Sequence, residues 1–106
     1  MDGTPCLRAI LEWMERRLDR PPGLDAMAKT AGLEKRSFLR WFRKETGRMP
    51  ADYLTERRVR ETCRRLRFTS ESIEEVAAAT GFANRHHFSR VFRERTARTP
   101  ADFRRG

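Results

Sequence analysis

The chain has 106 residues, and its 24 lysines and arginines against 15 acidic residues give a formal net charge of +9. Hydrophobic residues make up 38% of the sequence, which suffices for modest helical cores and exceeds what a disordered basic tail contains. No apolar run reaches the roughly 20 residues of a membrane helix, and residues 1–5 do not begin a signal peptide. We therefore expect a soluble intracellular protein of one compact domain or two very small ones, whose positive charge suits a polyanion.

Two segments of the sequence repeat each other. Residues 24–33 align with residues 73–82, and residues 38–52 align with residues 88–102 after one inserted residue. Two copies are too few, and the period is too long, for a solenoid. The repeat therefore predicts two related units joined by the residues between them.

Two predicted helices lie outside the aligned segments. The first precedes the first copy and stops at the Asp-Arg-Pro-Pro-Gly run of residues 19–23. Its apolar stripe consists of Leu7, Ile10, Leu11, Met14 and Leu18. The other is a long linker helix over about residues 54–70. Its apolar stripe is Leu54, Val59, Thr62, Cys63 and Leu66, and its outer face carries Arg57, Arg58, Arg60, Arg64, Arg65 and Arg67.

Capping residues mark the starts of the later helices. Ser72 and Glu75 have the spacing of a capping box, and Thr99 provides a cap just before Pro100 at the first helical position. These pairs predict the starts of the fifth and seventh helices, and Asn84 is predicted to cap the sixth. No stretch alternates with period two, so we expect no strands. The predicted fold class is all-α with seven helices.

Each copy contains the sequence pattern of a helix-turn-helix. A short helix ends at Gly32 in the first copy and at Gly81 in the second, and another helix begins within a few residues. One turn earlier, the small side chains of Ala28 and Ala77 let the second helix approach, and glycine permits a positive φ in the turn. A plain helical hairpin is the alternative for either copy alone. The occurrence of the pattern in both copies favours the helix-turn-helix.

The second helix of each pattern has an apolar face opposite a basic face, because successive residues are about 100° apart. In the first copy the apolar face is Phe38, Trp41 and Phe42, and the outward face is Arg36, Arg40 and Arg43. In the second copy the apolar face is Phe88, Val91 and Phe92, and the outward face is His86, Arg90 and Arg93, with Ser89 on the flank. An arginine fork donates to guanine O6 and N7 or to a phosphate, so the outward rows suit DNA.

The sequence offers no evident site for catalysis, a cofactor or a metal ion. Cys6 and Cys63 are too few for a disulfide framework or a zinc site, and the neighbouring His86 and His87 point about 100° apart on a helix. No phosphate-binding glycine loop, no paired carboxylates in an apolar setting and no nucleophile with a base are present. We expect a protein that is not an enzyme, needs no cofactor and carries two ordinary thiols.

The two copies together resemble a known family of bacterial regulators. The residues that carry the resemblance are Gly32-Leu33, Phe38-Leu39-Arg40-Trp41-Phe42-Arg43-Lys44-Glu45-Thr46-Gly47, Pro50-Ala51-Asp52-Tyr53-Leu54, Arg58-Val59, Ile73-Glu74-Glu75-Val76-Ala77, Gly81-Phe82, His87-Phe88-Ser89-Arg90-Val91-Phe92-Arg93 and Pro100-Ala101-Asp102-Phe103-Arg104. This series is similar to the DNA-binding domain of AraC/XylS-type transcription regulators, and the similarity covers nearly all of residues 1–106.

The resemblance implies an architecture and a set of DNA contacts. Two helix-turn-helix subdomains, at about residues 5–53 and 71–106, are held apart by the linker helix at about residues 54–70. Their recognition helices are expected to enter successive major-groove turns about 34 Å apart. The family's base contacts fall on Arg36, Leu39, Arg40, Arg85, His86, Ser89 and Arg90. Candidate phosphate contacts are Lys35, Arg43 and Arg93.

The resemblance also implies partners and a setting. Double-stranded DNA is the expected partner, bound in a sequence-specific way, and RNA polymerase is a second one because family members often recruit it. We expect no effector-sensing or dimerisation domain in these residues, and hence a monomer on the nucleoid in the bacterial cytoplasm, without membrane contact. The alternatives are a sequence-tolerant architectural DNA-binding protein and a helical protein-interaction module.

Four residues depart from the family's pattern. Gly23 and Glu34 stand where the family usually has a serine cap, so we expect weaker caps on the second and third helices. Ala97 stands where the first copy has Gly47, so a left-handed helix end there would cost about 1 kcal/mol, or the chain would use another turn. Arg65 occupies a usually apolar position of the linker helix, so we expect a change in the packing or the tilt between the subdomains.

Overall fold

The structure, a computed structural model, describes residues 6–106 as seven α-helices. The helices are α1 (Leu7–Arg16), α2 (Leu24–Ala31), α3 (Lys35–Thr46), α4 (Pro50–Phe68), α5 (Ile73–Ala79), α6 (Arg85–Thr96) and α7 (Pro100–Arg105). No strand occurs within residues 6–106, so the all-α prediction is confirmed. In the same part of the chain, no helix combines the length and the apolarity that a membrane crossing requires. The chain divides between Thr55 and Glu56 into two compact units.

The core of the first unit is built by residues from α1, α2 and α3. Phe38 and Phe42 of α3 are completely buried, and their ring centroids are 5.8 Å apart. Tyr53, on the first turn of α4, meets Phe42 edge-on at 5.8 Å. Each such buried side chain contributes about 1.5–3 kcal/mol to folding. The buried members of this core are Ile10, Met14, Met27, Ala28, Ala31, Phe38 and Phe42.

The second unit repeats this core with residues from α4, α5 and α6. Phe88 and Phe92 of α6 are completely buried, with ring centroids 5.5 Å apart. Phe103 of α7 meets Phe92 edge-on at 5.5 Å, as Tyr53 meets Phe42 in the first unit. The buried members are Val59, Leu66, Val76, Ala77, Phe82, Phe88 and Phe92. The aromatic sequence repeat is therefore also a repeat in three dimensions.

The predicted helix caps are present. The Ser72 hydroxyl accepts a hydrogen bond from the Glu75 amide at 3.0 Å, and the Glu75 carboxylate accepts one from the Ser72 amide at 2.8 Å. The Thr99 hydroxyl accepts a bond from the Asp102 amide at 3.1 Å, just before Pro100. The starts of α5 and α7 are thus confirmed. As predicted, Gly23 and Glu34 provide no side-chain cap to α2 and α3.

Two helix boundaries differ from the prediction. α1 ends at Arg16, so Leu18 lies beyond the helix that its spacing predicted, although it is half-buried. α4 covers Pro50–Phe68 instead of residues 54–70. Pro50 is its first residue, as Pro100 is the first residue of α7, because a missing amide proton removes no helical hydrogen bond at that position.

The prediction that six arginines share the outer face of α4 is wrong for Arg57, Arg58 and Arg65, which are half-buried. The Arg58 guanidinium is 5.9 Å from the ring centroid of Phe82, and arginine tolerates such a position because its aliphatic stem can be buried while its charge stays near water. Arg65 lies within the second unit, where its guanidinium donates to the carboxylates of Glu61 at 2.9 Å and Glu71 at 3.0 Å. These two ion pairs allow a charged residue at a half-buried position.

Candidate nucleic-acid interface

A tight turn joins two helices in each unit. Gly32 adopts a φ of +73° between α2 and α3, and Gly81 a φ of +89° between α5 and α6. The Leu33 amide donates a hydrogen bond to the Ala28 carbonyl at 2.9 Å, and the Phe82 amide donates one to the Ala77 carbonyl at 3.0 Å. Ala28 and its counterpart Ala77 are buried, where the small side chain leaves room for the next helix. Both pairs have the helix-turn-helix geometry that the sequence predicted.

α3 separates its aromatic residues from its basic ones. Phe38 and Phe42 fill the core, and Trp41 packs against Phe38 at a centroid distance of 5.8 Å. Four cationic side chains of this helix are exposed, Lys35, Arg36, Arg40 and Arg43, and the last three lie on the side opposite the aromatic residues. Since three of them follow one another at helical spacing, they present a row of guanidinium groups along one face.

α6 repeats this arrangement with better capping. Asn84 precedes the helix, and its side-chain oxygen accepts a hydrogen bond from the His87 amide at 2.8 Å, which confirms its predicted role as a cap. Phe88 and Phe92 point into the core. The outward side chains are exposed: Arg85, His86, Arg90 and Arg93.

Two of the predicted contact residues are less accessible than the others. Leu39 and Ser89 are half-buried, and they occupy equivalent positions on α3 and α6. Each lies one residue before an exposed arginine, Arg40 or Arg90. The structure therefore groups the predicted residues of each unit on one face, with a short side chain between the longer basic ones.

Two carboxylates that had no predicted role contact the first residues of the two recognition helices. Asp25 of α2 lies 3.2 Å from the Lys35 ammonium, and Glu74 of α5 accepts a hydrogen bond from Arg85 at 2.8 Å. The Arg85 guanidinium holds the pKa of Glu74 below its ordinary value. The sequence repeat could have indicated these ion pairs, because Asp25 aligns with Glu74 and Lys35 aligns with Arg85.

Both recognition helices end in a left-handed residue. Gly47 follows α3 with a φ of +78°, and Ala97 follows α6 with a φ of +63°. The amides of both residues donate to the carbonyl four residues earlier, at 2.7 and 2.8 Å. Ala97 therefore uses the same turn as Gly47, although its side chain disfavours that conformation.

Neither cysteine of the chain lies on α3 or α6. Within residues 6–106, no three His, Cys, Asp or Glu side chains are grouped so that they could hold a metal ion. Cys6 is exposed, and Cys63 is half-buried on α4, where burial raises the pKa of its thiol. A raised pKa keeps the thiol protonated and unreactive.

Known proteins share this sequence pattern. The helix-turn-helix domain family matches residues 27–106. The HTH-type transcriptional regulator GlxA of Rhizobium meliloti is 41% identical over 83 residues, which are 78% of this chain and 26% of GlxA. The multiple antibiotic resistance protein MarA of Escherichia coli is 32% identical over 76 residues, which are 72% of this chain and 60% of MarA. The match thus spans about a quarter of one relative and three fifths of the other.

Solved structures share the fold. A transcriptional regulator from Chromobacterium violaceum, described as containing an AraC-type DNA-binding domain, superposes with a TM-score of 0.86 at 30% identity, covering 93% of this chain and 88% of its own. The DNA-binding domain of the global transcriptional factor AdpA, solved with a target DNA, gives 0.87 at 29% identity, covering 96% of this chain and 91% of its own. The chain belongs to the AraC/XylS-type helix-turn-helix domain family.

Proposed function

We propose that this chain binds double-stranded DNA in a sequence-specific way, as the DNA-binding domain of a bacterial transcription regulator. The observation that carries the proposal is the duplicated face: α3 and α6 each bury two phenylalanines and expose a basic row on the opposite side. An α-helix fits the major groove, where each base pair displays a distinct pattern of donors and acceptors. The AdpA domain, which has the same fold, was solved with its target DNA.

The exposed side chains divide by the chemistry that they offer to DNA. Arg36, Arg40 and Arg90 have planar forks that suit guanine edges, and His86 offers ring nitrogens to a base. Half-buried Leu39 suits a thymine methyl group, and its counterpart Ser89 hydrogen-bonds to a base or a phosphate. Arg85 completes the proposed base contacts once it releases Glu74.

Lys35, Arg43 and Arg93 are proposed to bind phosphates. Arg43 and Arg93 lie one turn beyond the central arginines and are exposed near the ends of their helices. Contacts of this kind fix the orientation of the protein on the duplex, and they make affinity depend on salt.

The proposal includes the state of the protein in the cell. We propose a monomer that occupies the bacterial nucleoid in the cytoplasm, with α3 and α6 in successive major grooves and RNA polymerase as a second partner. Each unit has its own core and displays its basic row without help from a second copy, which supports binding by a single chain. Family membership supports the other elements.

The test replaces one central arginine in each unit. Arg40→Ala and Arg90→Ala should each weaken binding to a selected duplex by about 1–3 kcal/mol and affect a scrambled duplex less. Arg16→Ala is the matched control, because it removes the same charge from an exposed position on α1. Fluorescence anisotropy measures the affinities, and far-ultraviolet circular dichroism checks that the helices are retained.

The same titrations decide between the proposal and its alternatives. An architectural protein would bind selected and scrambled duplexes equally at every salt concentration, and both arginine variants would lose affinity equally for the two. A protein-interaction module would show negligible affinity for DNA even at low salt. Either result contradicts the proposed function.

A further inference from the structure

An apolar pocket of about 270 Å³ lies within the first unit, beside α3. An engineered apolar cavity of about 150 Å³ accommodates benzene, so this pocket has room for an apolar group of roughly ten carbon atoms. Three methionines contribute, and their flexible thioether side chains adapt to the shape of a ligand. The complete lining is apolar: Met14, Pro21, Pro22, Leu24, Met27, Leu39, Met49, Pro50, Ala51 and Leu54.

The second unit shows that the fold does not dictate an apolar lining here. The lining residues Leu39, Met49 and Leu54 correspond in the repeat to Ser89, Thr99 and Arg104. Arg104 donates to the backbone carbonyls of Leu66 at 3.1 Å and Thr69 at 3.3 Å. Its guanidinium thus binds the backbone at the C-terminal end of α4. The apolar lining is therefore a property of the side chains in the first unit.

A basic groove adjoins the pocket. Leu39 and Met49 line both, so the two spaces meet at these side chains. The other residues of the groove are all cationic: Arg36, Arg40, Arg43 and Lys44. Guanidinium groups bind carboxylates through paired hydrogen bonds, and no acidic side chain lines either space. The combination suits a molecule with an apolar body and one carboxylate at its end.

We propose that this pocket binds an apolar carboxylate of roughly ten carbon atoms, with its carboxylate on the basic groove of α3. The bound ligand neutralises the arginines that otherwise face DNA, and it therefore competes with DNA at the first unit. This consequence rests on the proposed function, whereas binding of the ligand does not. The site makes the DNA-reading unit itself responsive to a small molecule.

Decanoate is the probe, and the methionine methyl signals in a carbon–proton NMR spectrum are the readout. Three of the chain's 4 methionines line the pocket, so binding should produce saturable shifts of Met14, Met27 and Met49. Decan-1-ol, which has the same chain without the charge, should bind about tenfold more weakly. The measurement needs no DNA.

Two variants locate the site. Ala51→Phe places a ring at the exposed edge of the pocket and should weaken decanoate binding about tenfold. Ala101→Phe is the control at the equivalent position of α7, which is half-buried, and it should bind as the parent protein does. Lys44→Gln, at an exposed position that tolerates substitution, should weaken binding about threefold by removing one charge from the groove.

Several results would overturn the proposal. These are the absence of saturable methionine shifts, equal binding of the alcohol, and equal losses in the two phenylalanine variants. In a second arm, saturating decanoate should weaken binding to a selected duplex about tenfold in the parent protein and not in Ala51→Phe. Unchanged DNA affinity refutes the competition. If the chain bound no duplex at all, the proposed function would be refuted. The NMR titration of the methionine methyl groups would still show whether the pocket binds decanoate.

Discussion

The left-handed end of α6 leads to a prediction about stability. Ala97 has a φ of +63° and a ψ of +16°, and among residues 6–106 it is the only residue other than glycine with a positive φ. Its equivalent in the first unit is Gly47, with a φ of +78°. Ala97→Gly should therefore stabilise the second unit, and Gly47→Ala should destabilise the first.

The magnitude follows from the backbone. A left-handed conformation costs an L-residue about 1–2 kcal/mol, and Ala97→Gly removes this cost. Glycine also has a larger entropy in the unfolded state, which offsets about half of the stability gained. The amide of Ala97 keeps its 2.8 Å hydrogen bond to the Arg93 carbonyl in the glycine variant. We expect Ala97→Gly to add about 1 kcal/mol to the free energy of unfolding. A Cβ at Gly47 would meet nothing within 4 Å, so Gly47→Ala should cost a similar amount through the backbone alone.

Urea denaturation followed by circular dichroism measures both changes. For a slope of about 1–3 kcal/mol per molar urea, a change of about 1 kcal/mol moves the midpoint by about 0.3–1 M. The two midpoints should move in opposite directions. A neutral or destabilising effect of Ala97→Gly at an unchanged slope would refute the backbone strain assigned to Ala97.

Three further predictions concern other parts of the structure. The hydrogen bond from Arg64 holds the pKa of Glu61 below its ordinary value near 4.5. The ionised Glu61 carboxylate therefore stabilises the fold at pH values above 4.5, and this stabilisation is lost as the pH falls through the folded-state pKa. In acid urea titrations, Glu61→Gln should therefore lose less stability than the parent protein, and an identical acid profile would contradict this. Glu74→Gln removes the carboxylate that holds Arg85, so this variant should bind a scrambled duplex about three- to tenfold more tightly than the parent protein does in an anisotropy titration. An unchanged affinity would refute this prediction. Phe38→Ala empties a completely buried site and should cost about 3–5 kcal/mol in urea denaturation, whereas a loss below about 1 kcal/mol would contradict the described core.

Features set by short-range chemistry could be predicted from the sequence. The caps at Ser72, Asn84 and Thr99 depend only on a side-chain oxygen and an amide three residues later, and all three are confirmed. The opposition of aromatic and basic faces follows from helical periodicity, and the repeat supplied a second example of it. Exposure of the outward arginines was predictable for the same reason.

Features that depend on neighbouring helices were not predictable in the same way. Arg58 looked solvent-exposed by periodicity, but the aromatic ring of Phe82 lies beside it. Arg65 is half-buried because Glu71, in the loop beyond α4, approaches it. The pairing of Asp25 with Lys35 joins two helices across a turn, and spacing along one helix could not reveal it.

Selection of bound duplexes from random DNA shows whether α3 and α6 each read a DNA sequence. If α3 and α6 read successive major grooves, the parent protein enriches two short sequence blocks whose centres are about 10–11 base pairs apart. Arg40→Ala should lose information in one block and Arg90→Ala in the other, because each recognition helix reads its own block. Enrichment of no motif, or of a motif that neither variant changes, would contradict the account.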